Sequence, residues 1–276
     1  MAEPMGILIK ATYRRLVDIV ESFGSFCRFC GQTAAWLPTS VTRVNDLRLL
    51  TPQFHEIGAK SVPIVAIVGM FVGMVLAVQA FVQFQAVGLE NYLGSVINTS
   101  VVRELGPVLA GIMLAGRVGG ALTAELGTMR VTEQIDALKT LGTDPVRYLV
   151  APRFLACLVL TPFLTCYADL MGVLGGYFIS VVVFGSSSSL YWRYSAQAMQ
   201  FWDIAVGLIK SVIFGGAIAL IGCSKGFHCR AGAEGVGRAC TEAFVLSFVA
   251  ILTIDFFMAV LFKAIYEALW GFRSVF

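Results

Sequence analysis

The chain has 276 residues, 58% of them hydrophobic and 13% charged, with a mean hydropathy of +0.81 and a net charge of +3. A chain this apolar cannot be solvated as a water-soluble domain, which excludes a soluble enzyme or binding module. The small basic excess would suit nucleic acid only if it clustered on a soluble face; here the basic residues punctuate apolar runs, so no nucleic-acid partner is expected.

The spanning elements must be helices, because backbone exposed to lipid has to satisfy its own hydrogen bonds and the apolar runs are much longer than barrel strands. Residues 1–60 mix Leu16, Ile19, Val20 and Phe23 with Lys10, Arg14, Arg15 and Arg28, a pattern that suits one or two amphipathic helices lying in the membrane interface. The stretch Met1 to Lys10 lacks the parts of a cleavable signal, so the first span is expected to act as the insertion signal. Thr51 and Pro52 read as an N-cap and first helical position, starting a new helix near residue 52.

Five apolar stretches follow, at about 62–84, 105–126, 150–184, 203–223 and 242–270, within a domain covering 61–276. Each is near or above the ~20 residues needed to cross hydrocarbon. The third and fifth are over-long, and Pro162 is a place where the third can bend. The second contains Gly111, Ala115, Gly116, Gly119, Gly120 and Ala124, a small-residue seam for a close helix contact, either within one subunit or between two.

Basic residues set the orientation. Seven precede residue 61, five fall between Arg117 and Arg153 and three between Lys225 and Arg238, against one in each of the loops near 85–103 and 185–202 and two at the C-terminal end. The positive-inside rule therefore predicts a cytoplasmic N-terminus and an external C-terminus.

Between the second and third stretches, Ala124 to Arg153 reads AELGTMRVTEQIDALKTLGTDPVRYLVAPR. Val131, Ile135 and Leu138 share one helical face while Arg130, Glu133, Gln134 and Lys139 point elsewhere, which predicts a short amphipathic helix over about 127–141. Gly142 suits its C-terminal cap and Asp144-Pro145 the start of the next helix. Such a helix either rests on the bilayer surface or docks to a partner.

Charges inside hydrocarbon cost at least ~2.5 kcal/mol at a helix centre, so Glu104 (after Arg103), Arg117, Lys210 and Asp255 are functional candidates. Glu104 and Lys210 fall in the same outer half. They either flank a cavity and offer charge to a lipid headgroup, or form an internal salt bridge, while Arg117 and Asp255 either snorkel or pair within the bundle. A phospholipid site also needs apolar walls, for which Leu76, Val78, Tyr92 and Leu105 are candidates. The weaker motifs fail on spacing. Gly235-Val236-Gly237 has Cys240 where a dinucleotide fingerprint needs its third glycine, and nothing places Cys27 and Cys30 near His228 and Cys229, so no metal site is expected.

The run from Arg103 to Arg153, beginning RELGPVLAGIMLAGRVGGALTAELGTMR, resembles the core of the MlaE (YrbE) family of lipid-transporter permeases, and GAEGVGRA from Gly232 to Ala239 matches a second block. The resemblance implies the membrane half of an ABC transporter in a bacterial inner membrane, moving phospholipid between that membrane and the outer envelope and contributing to outer-membrane lipid asymmetry. It implies a homodimer, two cytoplasmic ATPase subunits that bind ATP and Mg, a periplasmic ring of MCE-domain proteins and a small STAS-type regulator. It also makes the charged segment a coupling helix seated in the ATPase, with Glu125, Met129, Arg130, Glu133, Gln134, Asp136 and Leu138 at that contact. The sequence carries no G-x-x-x-x-G-K-[ST] phosphate loop, as expected of a non-catalytic permease subunit without a cofactor of its own. The competing readings are an ion-coupled secondary transporter relaying protons through Glu104, Lys210 and Asp255, and a non-transporting scaffold.

Overall fold

A computed structural model describes residues 17, 20–21, 23–37 and 50–270, and all regular structure among them is helical. Lys10, Arg14, Arg15, Leu16 and Ile19 of the expected interfacial helices, and the last six residues, lie outside the described set. We label the helices α1 (23–37), α2 (Leu50–Ala86), α3 (Leu93–Val131), α4 (Gln134–Thr140), α5 (Val146–Val183), α6 (Ser188–Ala198), α7 (Phe201–Phe227) and α8 (Ala233–Trp270). Five of them, α2, α3, α5, α7 and α8, are long and apolar enough to cross a membrane.

Hydropathy underestimates these helices because it detects only the part in hydrocarbon. At ~1.5 Å per residue, the 39 residues of α3 far exceed a ~30 Å hydrocarbon layer. Its first turns, Leu93–Ser100, occupy part of the stretch read from sequence as a loop near 85–103. They are held by packing of Leu93, Ile97 and Val101 on Ala77 and Leu76 of α2. Likewise α6 occupies most of the expected loop near 185–202, and α2 already includes Leu50 and Thr51, so Thr51 lies inside the helix rather than capping it.

The closest backbone approach is between α2 and α5. A Cβ on Gly73 would overlap the Gly172 carbonyl, and one on Gly175 would overlap that of Met70. This is small-residue packing of the kind expected in membranes, along a Gly69-to-Gly73 seam; the seam expected on α3 is also a close contact within the subunit, where a Cβ on Gly222 of α7 would lie 3.1 Å from the Gly119 carbonyl. Elsewhere on α3, Gly111 packs tightly on the Phe214 ring of α7, Gly119 faces Ile218 at ordinary contact distance, and Gly120 faces open space. Thr123 Oγ1 donates to the Gly222 carbonyl at 3.0 Å, tying α3 to α7 above a core of Leu122, Leu126, Phe214 and Ile218.

α2 is interrupted at Lys60–Ser61, ahead of Pro63, which cannot donate to the carbonyl one turn earlier. Arg117 of α3 covers this break, donating to the Glu56 carbonyl at 3.1 Å and to Ser61 Oγ at 2.6 Å. This intramembrane arginine thus clamps two helices together.

Shorter helices sit at both ends of the bundle, α6 at one and α4 with α1 at the other. At one end Asn98 of α3 donates to Ser195 Oγ of α6 at 2.9 Å and accepts from Tyr191 at 3.0 Å, all three buried. At the opposite end lie α4 and α1. There the Phe29 ring packs edge-on against Phe227 at 5.7 Å, and Trp36 Nε1 donates to Asp144 at 3.0 Å.

Candidate functional site

Two arrangements carry most of the unexplained charge. The first is an ion cluster in the half of the bundle nearer α6. Lys210, in the middle of α7, is fully buried, and its Nζ lies 2.5 Å from Glu104 of α3 and 2.9 Å from Asp255 of α8. The chain continues through Arg103, 3.9 Å from Glu104 and 3.3 Å from Asp203. Three transmembrane helices are thereby joined by five charges, three carboxylates against two cations. Isolated, each would be severely penalised by the surrounding hydrocarbon; together they compensate one another.

Asp203 was not legible as a member of this cluster, although its signal was present. Gln200 and Asp203 form a reciprocal capping box at the start of α7, with Asp203 accepting from the Gln200 backbone at 3.1 Å, and the Q-x-x-D spacing before an apolar run is the sign of it. Asp169 of α5 also escaped notice. Its Oδ1 is buried without a hydrogen-bond partner and abuts Gly106 of α3.

The residues named for lipid contact divide. Arg103, Glu104, Lys210 and Asp255 come together; Leu76, Val78, Tyr92 and Leu105 do not join them as walls of one cavity. Leu76 packs into the α2–α3 contact, Val78 is exposed on α2, and Tyr92 is exposed with its ring 4.3 Å from that of Tyr194. Leu105 lines a cleft between α2, α3 and α5 with only about 10 Å³ of free space, room for one water and not for an acyl chain. Because Lys210 is sealed inside, the accessible charges here are Arg103 and Glu104, at 35% and 40% exposure.

The second arrangement is α4. The expected single helix over 127–141 is divided: Gly127–Val131 continue α3, a turn follows, and α4 is the seven residues Gln134–Thr140. The division falls at Glu133, whose φ of 60° is left-handed, a conformation a non-glycine residue adopts only at some cost. At the other end Gly142, with φ 75°, closes the helix, its N–H reaching Lys139 and that of Thr143 reaching Leu138. Asp144 then accepts from the Val146 backbone at 2.9 Å to start α5.

One face of α4 is seated in the bundle, with Ile135 buried and Leu138 packed on the same core as Met129 of α3. Arg130 bonds Asp136 at 2.6 Å and Lys139 bonds it at 3.0 Å, bracing α4 against the end of α3. The Lys139 hydrogen bond and the Arg130 charge hold the Asp136 carboxyl below its ordinary range. Glu133, Gln134, Ala137 and Leu141 remain exposed. Glu125, read with this segment, lies on α3 and pairs with the buried Arg153 of α5 at 2.8 Å, so it braces the bundle beneath α4.

Five membrane-crossing helices around a compensated ion cluster define the chain as a multi-pass, all-α membrane protein. The Permease MlaE family model matches residues 50–261, and the chain belongs to that family. A probable ABC transporter permease protein of Rickettsia conorii is 41% identical over 249 residues, covering 90% of this chain and 95% of its own length. The intermembrane phospholipid transport system permease protein MlaE of Haemophilus influenzae is 36% identical over 78% of this chain and 84% of its own. The chloroplastic protein TRIGALACTOSYLDIACYLGLYCEROL 1 of Arabidopsis thaliana is 39% identical over 76% of this chain and 60% of its own.

Proposed function

We propose that this chain is the membrane subunit of an ABC transporter that moves phospholipid between the inner membrane and the outer envelope and thereby contributes to outer-membrane lipid asymmetry. In this reading it works as a homodimer, with two cytoplasmic ATPase subunits that bind ATP and Mg and with a periplasmic MCE-domain ring beyond the opposite face. The observation that carries it is the seat of α4: one face is anchored by Ile135, Leu138 and the Arg130–Asp136 bond while Glu133 and Gln134 are exposed where a partner would meet them. Family membership and the phospholipid transport named for the Haemophilus relative support the cargo class.

In mechanical terms, α4 is joined to the end of α3, and α3 also carries Arg103 and Glu104. A push on α4 when the ATPases close is transmitted along α3 to the ion cluster, where Lys210 couples α3 to α7 and α8. Headgroup contact in the outer half then falls to Arg103 and Glu104, with Lys210 as their buried support.

The test is retention of an ATPase when the chain is purified from its native membrane. Glu133→Lys reverses the charge on the exposed face of α4 and is expected to reduce retention at least tenfold; Ser189→Lys, on α6 at the far end, is expected to leave it intact. Equal retention by both variants, or no ATPase with the unaltered chain, overturns the reading.

A further inference from the structure

GAEGVGRA lies where α7 ends and α8 begins, at the same end of the bundle as α4. The turn there is tightly built. Gly232 has φ 91°, Gly235 sits so close to the Arg230 carbonyl that a Cβ would collide with it, and Cys229 Sγ lies 3.5 Å from the Gly127 carbonyl of α3. The loop is thereby folded back over the first turn of α8 and encloses an open cavity of about 360 Å³.

Lys225, Arg230, Arg238 and His228 line this cavity with a single carboxylate, Glu242. Glu242 is shared between Lys225 at 2.9 Å and Arg238 at 3.0 Å, and Arg230 has no ion-pair partner among the described residues. Among the lining residues, three cations against one carboxylate leave a surplus of two positive charges, beside a helix N-terminus whose dipole has the same sign and whose first turn carries Glu234. One turn below Glu242 the outer surface of α8 becomes apolar and exposed, at Phe244, Val245 and Leu246. The cavity therefore stands at the edge of the hydrocarbon layer, at headgroup depth.

We infer that this cavity binds the phosphate of an anionic phospholipid in the leaflet at the α4 end, with Arg230 as the principal ligand and Lys225 and Arg238 as supporting charges. Basic pockets between spans at headgroup depth are the usual means of holding such lipids. The site is far from the Lys210 cluster and needs only that this loop lie at a membrane surface, so it stands or falls independently of the ATPase reading.

The full-length chain in detergent is titrated with dioleoyl phosphatidylglycerol, dioleoyl phosphatidylcholine or inorganic phosphate, and bound species are counted by native mass spectrometry. The anionic lipid is expected to bind in preference to the zwitterionic one. Arg230→Gln, which breaks no observed pair, is expected to weaken its binding about fivefold. Lys263→Gln removes the same charge near the far end of α8 and is expected to have no effect. Equal weakening by both variants, or no preference between the lipids, overturns the assignment. Binding of inorganic phosphate lost in Arg230→Gln, without binding of the anionic lipid, also overturns it, by making free phosphate the occupant.

Discussion

Lys210 illustrates how a residue's meaning depends on what surrounds it. A buried ammonium is tolerated because Glu104 and Asp255 compensate it from two other helices, and deleting only the cation would strand the Asp255 carboxylate and leave Glu104 with only the more distant Arg103. Lys210→Met is therefore expected to destabilise the fold by on the order of 3 kcal/mol, read as a lower unfolding midpoint in detergent. Adding Asp255→Leu should recover part of that loss, because the second change removes a stranded charge; a neutral Lys210→Met would show that the lysine is not held as a cation. The candidate pair was legible in sequence because charges stand out inside apolar runs. Its depth was not: whether Lys210 faces a lipid or is sealed depends on the helices around it, and that information lies in α3 and α8, far away along the chain.

Among the elements, what was legible follows the range of the interactions that fix it. The five crossings are dictated by local hydropathy and can be read directly, whereas their ends depend on neighbours, as at Leu93–Ser100. The division of the charged segment at Glu133 has no local signal either, since glycine or asparagine would normally mark a left-handed residue. Within α4, Asp136 is the keystone. Its pKa is lowered in the folded chain, so its stabilising contribution is full above the ordinary aspartate range and is lost as pH falls through the lower folded value. Asp136→Asn is accordingly expected to speed amide exchange across 134–140 at neutral pH, with little change in the transmembrane helices; unchanged exchange would mean that Ile135 and Leu138 alone hold α4. The α2–α5 contact offers a separate check on packing. Gly73→Ala forces two backbones apart and should cost on the order of 1–3 kcal/mol in thermal unfolding, whereas Gly120→Ala meets nothing within 4 Å and should be close to neutral.

For the whole molecule, an odd number of crossings assigns each short element to one side. α4, α1 and the Arg230 loop share one end and α6 the other, and the basic residues concentrate at the α4 end. The positive-inside rule predicts that this end is cytoplasmic, which is also the side on which an ATPase would have to meet Glu133 and Gln134. The two arguments are independent, one from charge along the chain and one from the seat of a single helix, so orientation is a stringent test of both. A membrane-impermeant maleimide applied to intact cells, once the outer membrane is permeabilised, is expected to label a Ser189→Cys variant on α6 and to leave Cys27 on α1 unmodified until the inner membrane is opened. Cys27 is exposed, so protection of this thiol would reflect the bilayer rather than burial in the fold. The reverse pattern would put α4 outside the cell, away from any source of ATP, and would remove the coupling role while leaving the bundle and its ion cluster unchanged.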